Sequence, residues 1–157
     1  MKRFIVGISG ASGVIYGIRL LEVLRQSHIE THLILTDAAK RVILLETAFT
    51  VEDVEALAST VHDVKDLAAP LSSGSFKTDG MIIAPCSIKT LSAVAHSYNE
   101  NLMIRAADVC LKERHPLILV VRETPLHKGH LKLMWRVADL GGIILPPIPA
   151  FYHSPRK

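Results

Sequence analysis

Residues able to do chemistry collect directly behind short apolar runs. Phe4–Ile8 leads into Ser9-Gly10-Ala11-Ser12-Gly13, and Thr31–Leu35 leads into Thr36-Asp37. Gly80–Ala84 leads through Pro85 into Cys86-Ser87-Ile88-Lys89-Thr90, and Leu117–Val121 into Arg122-Glu123-Thr124. Hydroxyls, backbone amides at a helix start and cations are what holds a phosphate monoester beside a polar ring system. The Gly7-x-x-Gly10-x-x-Gly13 spacing is not the dinucleotide fingerprint, because Ser9 stands where G-x-G-x-x-G requires glycine. Asp37 is a poor match to the acidic ribose clamp of that motif. No Gly-Lys-Ser/Thr follows, so the loop is not of Walker type. A turn that merely lets strand and helix pack closely would look similar. Ser87-x-Lys89-Thr90, opening a second helix, tips the balance toward phosphate binding.

Other residues admit both chemical and structural readings. Arg122-Glu123 follows a strand expected to be buried, and a buried pair is costly unless compensated or functional. A structural ion pair with a neighbouring helix is the alternative. Glu46 closes the apolar run Val42–Leu45, and spacing does not separate a solvated helix end from a carboxylate aimed into a cleft. Cys86 precedes a helix start, where a thiolate can be activated. With no paired His it reads as a small buried residue, and mid-helical Cys110 reads as core. His127-x-x-His130 lies one turn apart without a third ligand, so no metal site is expected. His28 and His32 flank a strand start and read as surface residues. Met134 and Trp135 read as core or subunit contact.

These groups need a scaffold that brings strand ends together. The chain reads as alternating strands (2–8, 31–35, 80–84, 117–121, 143–145) and helices (14–26, 38–46, 50–59, 87–95, 102–114, 127–140). Thr50 and Asp53 have capping-box spacing, and residues 70–79 form a Ser/Gly-rich loop. Continuous apolar strands predict an α/β fold, an open parallel sheet covered by helices. Ligands then bind beyond the carboxyl ends of the strands. A 157-residue chain that is 49% hydrophobic and 21% charged fits one domain and excludes disorder. No apolar run approaches the ~18 residues of a membrane helix, and residues 1–9 lack a signal-cleavage site. Two cysteines are too few for a disulfide framework or a four-thiolate zinc site. The net charge of +3 is scattered, unlike the basic stripe of a nucleic-acid reader. A soluble, cytoplasmic domain is expected. The mean hydropathy of +0.31 is high for a small protein. Either both sheet faces are buried, or other subunits cover part of the surface.

The segments at 7–17 (GISGASGVIYG), 72–76 (SSGSF), 84–91 (APCSIKTL), 101–114 (NLMIRAADVCLKER), 121–127 (VRETPLH) and 149–153 (PAFYH) resemble the flavin prenyltransferase family, long described as aromatic-acid decarboxylases. The similarity covers nearly the whole chain, in order. It implies a flavodoxin- or Rossmann-like fold with helices on both faces of a mainly parallel sheet. It also implies a single FMN-binding domain over 1–157, a dodecameric homo-oligomer and no metal. The implied reaction joins the dimethylallyl group of dimethylallyl phosphate to N5 and then C6 of reduced FMN. The prenylated FMN so made serves a partner decarboxylase. An FMN-dependent aromatic-acid decarboxylase in its own right and a non-catalytic flavin carrier are the alternatives.

Position by position, the resemblance implies that Gly10, Ala11 and Ser12 line the flavin, with Ser12 in a proton relay. Thr36 stands where the family usually has Ser, and Asp37 replaces a common Lys. Ser87, Ile88, Lys89 and Thr90 match the segment around the FMN phosphate and ring. Arg122 matches a flavin-contacting Arg, Glu123 the acid/base beside it, and Glu46 a second carboxylate. Arg105, Lys112 and Tyr152 match residues that hold dimethylallyl phosphate, partly across subunit boundaries. Arg105 and Lys112 are seven apart, on one helix face about 10.5 Å apart along it; without the resemblance they read as a solvated basic face. The family carries a C-terminal helix after the Phe-Tyr-His segment, with a further basic ligand. The resemblance therefore implies that this helix is missing here, with Arg156 or Lys157 as the cations at hand, and Ser154 where a basic residue is common.

Overall fold

Each apolar run expected to be a strand forms one. In the computed structural model, which describes residues 2–153, these are β1 (Arg3–Ile8), β2 (Glu30–Leu35), β4 (Gly80–Cys86), β5 (Leu117–Val121) and β6 (Ile143–Ile144). Ser154, Arg156 and Lys157 lie outside the described residues. An unexpected strand, β3 (Thr60–His62), joins the sheet edge. It is too short and polar to show alternation, and it follows a helix that stops at Glu55 rather than Ser59. The helices are α1 (Ile15–Gln26), α2 (Asp37–Glu46), α3 (Val51–Glu55), α4 (Ile88–Ala95), α5 (Leu102–Lys112) and α6 (Lys128–Asp139). Thr50 and Asp53 form the expected capping box on α3.

All strand pairs are parallel, in the order β3-β2-β1-β4-β5-β6. The order reverses between β1 and β4, which makes the crevice beyond their carboxyl ends the topological switch point. One sheet face presents Val6, Ile8, Leu33 and Leu35 to Ile18 and Leu21 of α1, Ala39 and Ile43 of α2 and Val54 of α3. The other presents Ile5, Ile34, Met81, Ile83 and Leu119 to α4, α5 and Val137 of α6. Helices thus lie on both faces of an α/β sheet.

Two expectations need correction. β5 is not buried on both faces, since Ile118 and Val120 are only half-buried. They line an open apolar groove of about 630 Å³ with Tyr16, Leu20, Ile82 and residues 145–149. His32 is buried rather than at the surface. The pleat of β2 turns its ring under the loop that carries Phe76, which meets it edge-on at 5.0 Å. Its Nδ1 lies 2.8 Å from His62 Nε2, and its Nε2 lies 2.9 Å from Glu30 Oε1. Of the two readings of Trp135, core or subunit contact, the first is excluded, because the residue points outward from α6 and is 69% exposed.

Candidate cofactor and active site

The loop after β1 is stitched to the end of β4 by one buried hydroxyl. Ser9 Oγ donates to the Pro85 carbonyl (2.9 Å) and accepts from the Ser87 amide (2.8 Å). Thr36 caps α2 by accepting from the Ala39 amide at 3.0 Å. Ser87 caps α4, accepting from the Thr90 amide at 3.2 Å and donating to Thr90 Oγ1 at 3.1 Å. The two caps face a cavity of about 440 Å³ lined by Gly10, Thr36, Ser87, Lys89 and Thr90. Arg41, Lys65, Glu100 and Asn101 also line it and are absent from the expected set. Arg41 had a readable signal, a cation little more than one turn past a Thr cap. Lys65 and the α4–α5 turn reach the cavity only through tertiary folding.

The charge balance of this cavity favours an anion. Lys89 Nζ lies 3.6 Å from Glu100, and Lys65 Nζ lies 3.9 Å from Asp37. Lys65 thereby offsets the negative charge of Asp37. Arg41 has no acidic partner among the described residues. Two capped helix N-termini beside an uncompensated guanidinium form a donor set suited to a phosphate. The larger apolar groove on the β4–β5 face offers no comparable donors.

Glu46, at the end of α2, is a carboxylate aimed at the loop after β1. Its Oε2 accepts from the Gly13 amide at 2.8 Å. Gly13 has φ +94°, which an L side chain rarely adopts. The nearby Ser12 hydroxyl, more than the Gly13 and Val14 amides, holds the Glu46 pKa below the ordinary carboxyl value, with Arg122 adding a little. Arg122 and Glu123 are both exposed, so the expected cost of burying this pair does not arise. The Arg122 amide donates to the Cys86 carbonyl at 3.1 Å, and Glu123 Oε1 accepts from the Thr124 amide at 3.0 Å. Ala11 is buried, and Ile88 packs against the core.

The Flavoprotein family model matches residues 1–148. Over 158 aligned residues the chain is 62% identical to flavin prenyltransferase UbiX of Escherichia coli (strain K12), covering 100% of this chain and 84% of that protein. The chain belongs to the flavin prenyltransferase family. AnUbiX (PadA1), crystallised with FMN and dimethylallyl pyrophosphate, matches with a TM-score of 0.98 at 47% identity, over 99% of this chain and 83% of that one. A dodecameric FMN-dependent UbiX-like decarboxylase from Escherichia coli O157:H7 matches at 0.96 and 47% identity, over 99% and 84%.

In this flavin prenyltransferase family member, the remaining expected residues lie away from the cavity. Arg105 Nε donates to the Ser72 carbonyl at 3.1 Å, and its Nη1 lies 3.5 Å from Asp108 Oδ2. Lys112 pairs with Glu113, next to Gly74. Tyr152 lies in the 3-10 turn Phe151–His153 and is 84% exposed. None of the three lines the cavity at the switch point. Both cysteines are buried, and burial pushes their thiols up, Cys110 to about 12 and Cys86 further. Neither is an activated thiolate. His127 and His130 cap α6 reciprocally, with stacked rings 3.5 Å apart. No group of three His, Cys, Asp or Glu able to hold a metal occurs among the described residues.

Proposed function

We propose that this chain is a flavin prenyltransferase that binds FMN at the switch point and joins to it the dimethylallyl group of dimethylallyl phosphate. The observation that carries this reading is the pairing of the capped, cation-lined cavity with Glu46 anchored on the adjoining loop. The donor set suits the FMN phosphate, with Thr36, Ser87, Lys89 and Thr90 as its holders and Gly10, Ala11, Ser12, Ile88 and Arg122 toward the ring. Reduced FMN, when bound, supplies the electron-rich N5 and C6 at which the new carbon bonds form.

The chain's own groups divide the proton work. Glu46 stays ionised beside the Ser12 hydroxyl, and we assign it the uptake of a proton relayed through that hydroxyl. Glu123 has one oxygen engaged by the Thr124 amide, the other makes no hydrogen bond among the described residues, and we assign it the protonation of a departing phosphate. Arg105 and Lys112 supply preorganised positive charge for the leaving anion, with Tyr152 as a further ligand. Their distance from the cavity within one chain favours a site completed by neighbouring copies. Exposed Leu45, Trp135, Ile148 and Phe151 support such assembly into a homo-oligomer, and the related decarboxylase is a dodecamer. No helix among the described residues is long and apolar enough to cross a membrane. We place the enzyme in the cytoplasm, delivering prenylated FMN to a partner decarboxylase.

Anaerobic incubation with reduced FMN and dimethylallyl phosphate, followed by flavin mass spectrometry, tests the reading. A gain of one C5 unit is expected. An unchanged flavin mass, with carbon dioxide released from an aromatic acid by this protein alone, would overturn it.

A further inference from the structure

Asp108 is the hub of a small polar cluster on α5. Its Oδ1 accepts from Ser97 Oγ at 2.8 Å, and its Oδ2 accepts from Asn99 Nδ2 at 3.0 Å. The same Oδ2 lies 3.5 Å from Arg105 Nη1 one turn earlier. Asn99 Oδ1 is buried without a hydrogen bond among the described residues, so Asp108 is what orients that amide. Ser97 sits at φ +51° in the α4–α5 turn, a conformation a non-glycine residue holds only with support. Three and four residues along the same turn, Glu100 and Asn101 form part of the cavity wall. One carboxylate thus braces both the turn behind the cavity and the guanidinium on α5.

The Arg105 end of this brace is half-committed. Nε is spent on the Ser72 carbonyl and Nη1 faces Asp108, while the remaining N–H groups make no hydrogen bond among the described residues. A guanidinium held through Nε, with its Nη1/Nη2 fork making no hydrogen bond among the described residues, is preorganised for a planar, two-pronged contact with phosphate oxygens. We propose that Asp108 is the positioning residue for the phosphate of the allylic substrate, acting through Arg105. The inference rests on the reading of Arg105 as a ligand of that phosphate. An amide at 108 could keep its oxygen toward Asn99 and Arg105 by turning its N–H groups to the Ser97 hydroxyl, but it would lose the negative charge that holds the guanidinium.

The test measures KM and kcat for dimethylallyl phosphate, together with FMN affinity, in Asp108→Asn, Arg105→Ala and the double variant. Asp108→Asn should raise KM about tenfold, change kcat far less, and leave FMN affinity nearly unaltered. In the Arg105→Ala background the same change should add almost nothing, because the two residues act as a unit. Ser97→Ala, a milder cut in the same cluster, should raise KM in the same direction and be equally silent without Arg105. A raised KM in Arg105→Ala with wild-type KM in both Asp108→Asn and Ser97→Ala would overturn the inference alone. An unchanged KM in Arg105→Ala would overturn the reading of Arg105 beneath it. An equal KM effect of Asp108→Asn with and without Arg105 would also overturn the positioning role.

Discussion

Glu46 Oε2 lies 2.8 Å from the amide of Gly13, so the last residue of α2 grips the loop that follows β1. The grip has two consequences. It fixes the turn that carries Ser12, and it keeps the carboxylate ionised beside the position where a proton must be taken up. Positioning and chemistry are therefore joined in one side chain.

Replacing Glu46 with Gln separates the two. The amide still offers an oxygen to Gly13 but carries no charge and is a far weaker base. FMN affinity should change little, while prenyl transfer should fall by roughly 10²-fold, the lower range for a positioned acid or base. Flavin fluorescence titration and single-turnover product analysis measure the two effects. Equal loss of both would mean that Glu46 is only a clamp.

Gly10 and Ala38 define how closely the loop approaches α2. A Cβ on residue 10 would stand 2.4 Å from Ala38 Cβ, and neither atom has a flexible arm to yield. Gly10→Ala should weaken FMN binding at least about tenfold and lower the melting temperature by several degrees, as overpacking costs about 1–3 kcal/mol. Adding Ala38→Gly opens the space again and should restore FMN affinity. Failure of the double variant to recover would show that the loop's backbone freedom, not its distance from α2, governs binding.

Local signals were the legible part of this molecule. Thr50 with Asp53 announces a helix start by residue type and spacing, and the structure places a cap there. Continuous apolar runs announced the central strands, because parallel strands demand them. The rest depends on what packs where. β3 is three residues at an edge, with nothing periodic to detect. His32 looks like a surface residue until the loop bearing Phe76 closes over it. Arg122 and Glu123 follow an uninterrupted apolar strand yet emerge into solvent at its end. Lys65 reaches the cavity only because β3 joins the sheet and carries the following loop to Asp37.

His62 makes stability fall in mild acid. Burial, followed by the nearby His32, holds its pKa below the ordinary value of 6.5, with Asp66 opposing. The unfolded chain therefore binds this proton more readily than the folded one. Stability is full above that ordinary value and declines as pH drops through 6.5 toward the folded pKa, where the loss is complete. Glu30 and Glu46 have lowered values as well, but their contributions fade only below the ordinary 4.5. Melting temperature should thus drop between about pH 7 and pH 5, and His62→Gln should flatten that slope without altering the loss at lower pH. An unchanged slope in the variant would assign the mild-acid sensitivity to another group.

Cys86 lies at the end of β4, beside the cap of α4, where a reactive thiolate would be well placed for covalent chemistry. Its burial argues the other way, since desolvation raises the thiol well above the ordinary 9.0 and leaves it protonated at neutral pH. Cys110 is likewise buried, and its thiol is pushed up to about 12. A thiol-reactive disulfide reagent at about pH 8 should label neither residue in the native protein and both after denaturation. Cys86→Ala should keep FMN affinity and prenyl transfer within about threefold of the wild type, the cost being a small cavity rather than lost chemistry. Rapid native labelling at one site, together with collapse of turnover in Cys86→Ala, would instead make the thiol a participant and remove Glu46 from its central place.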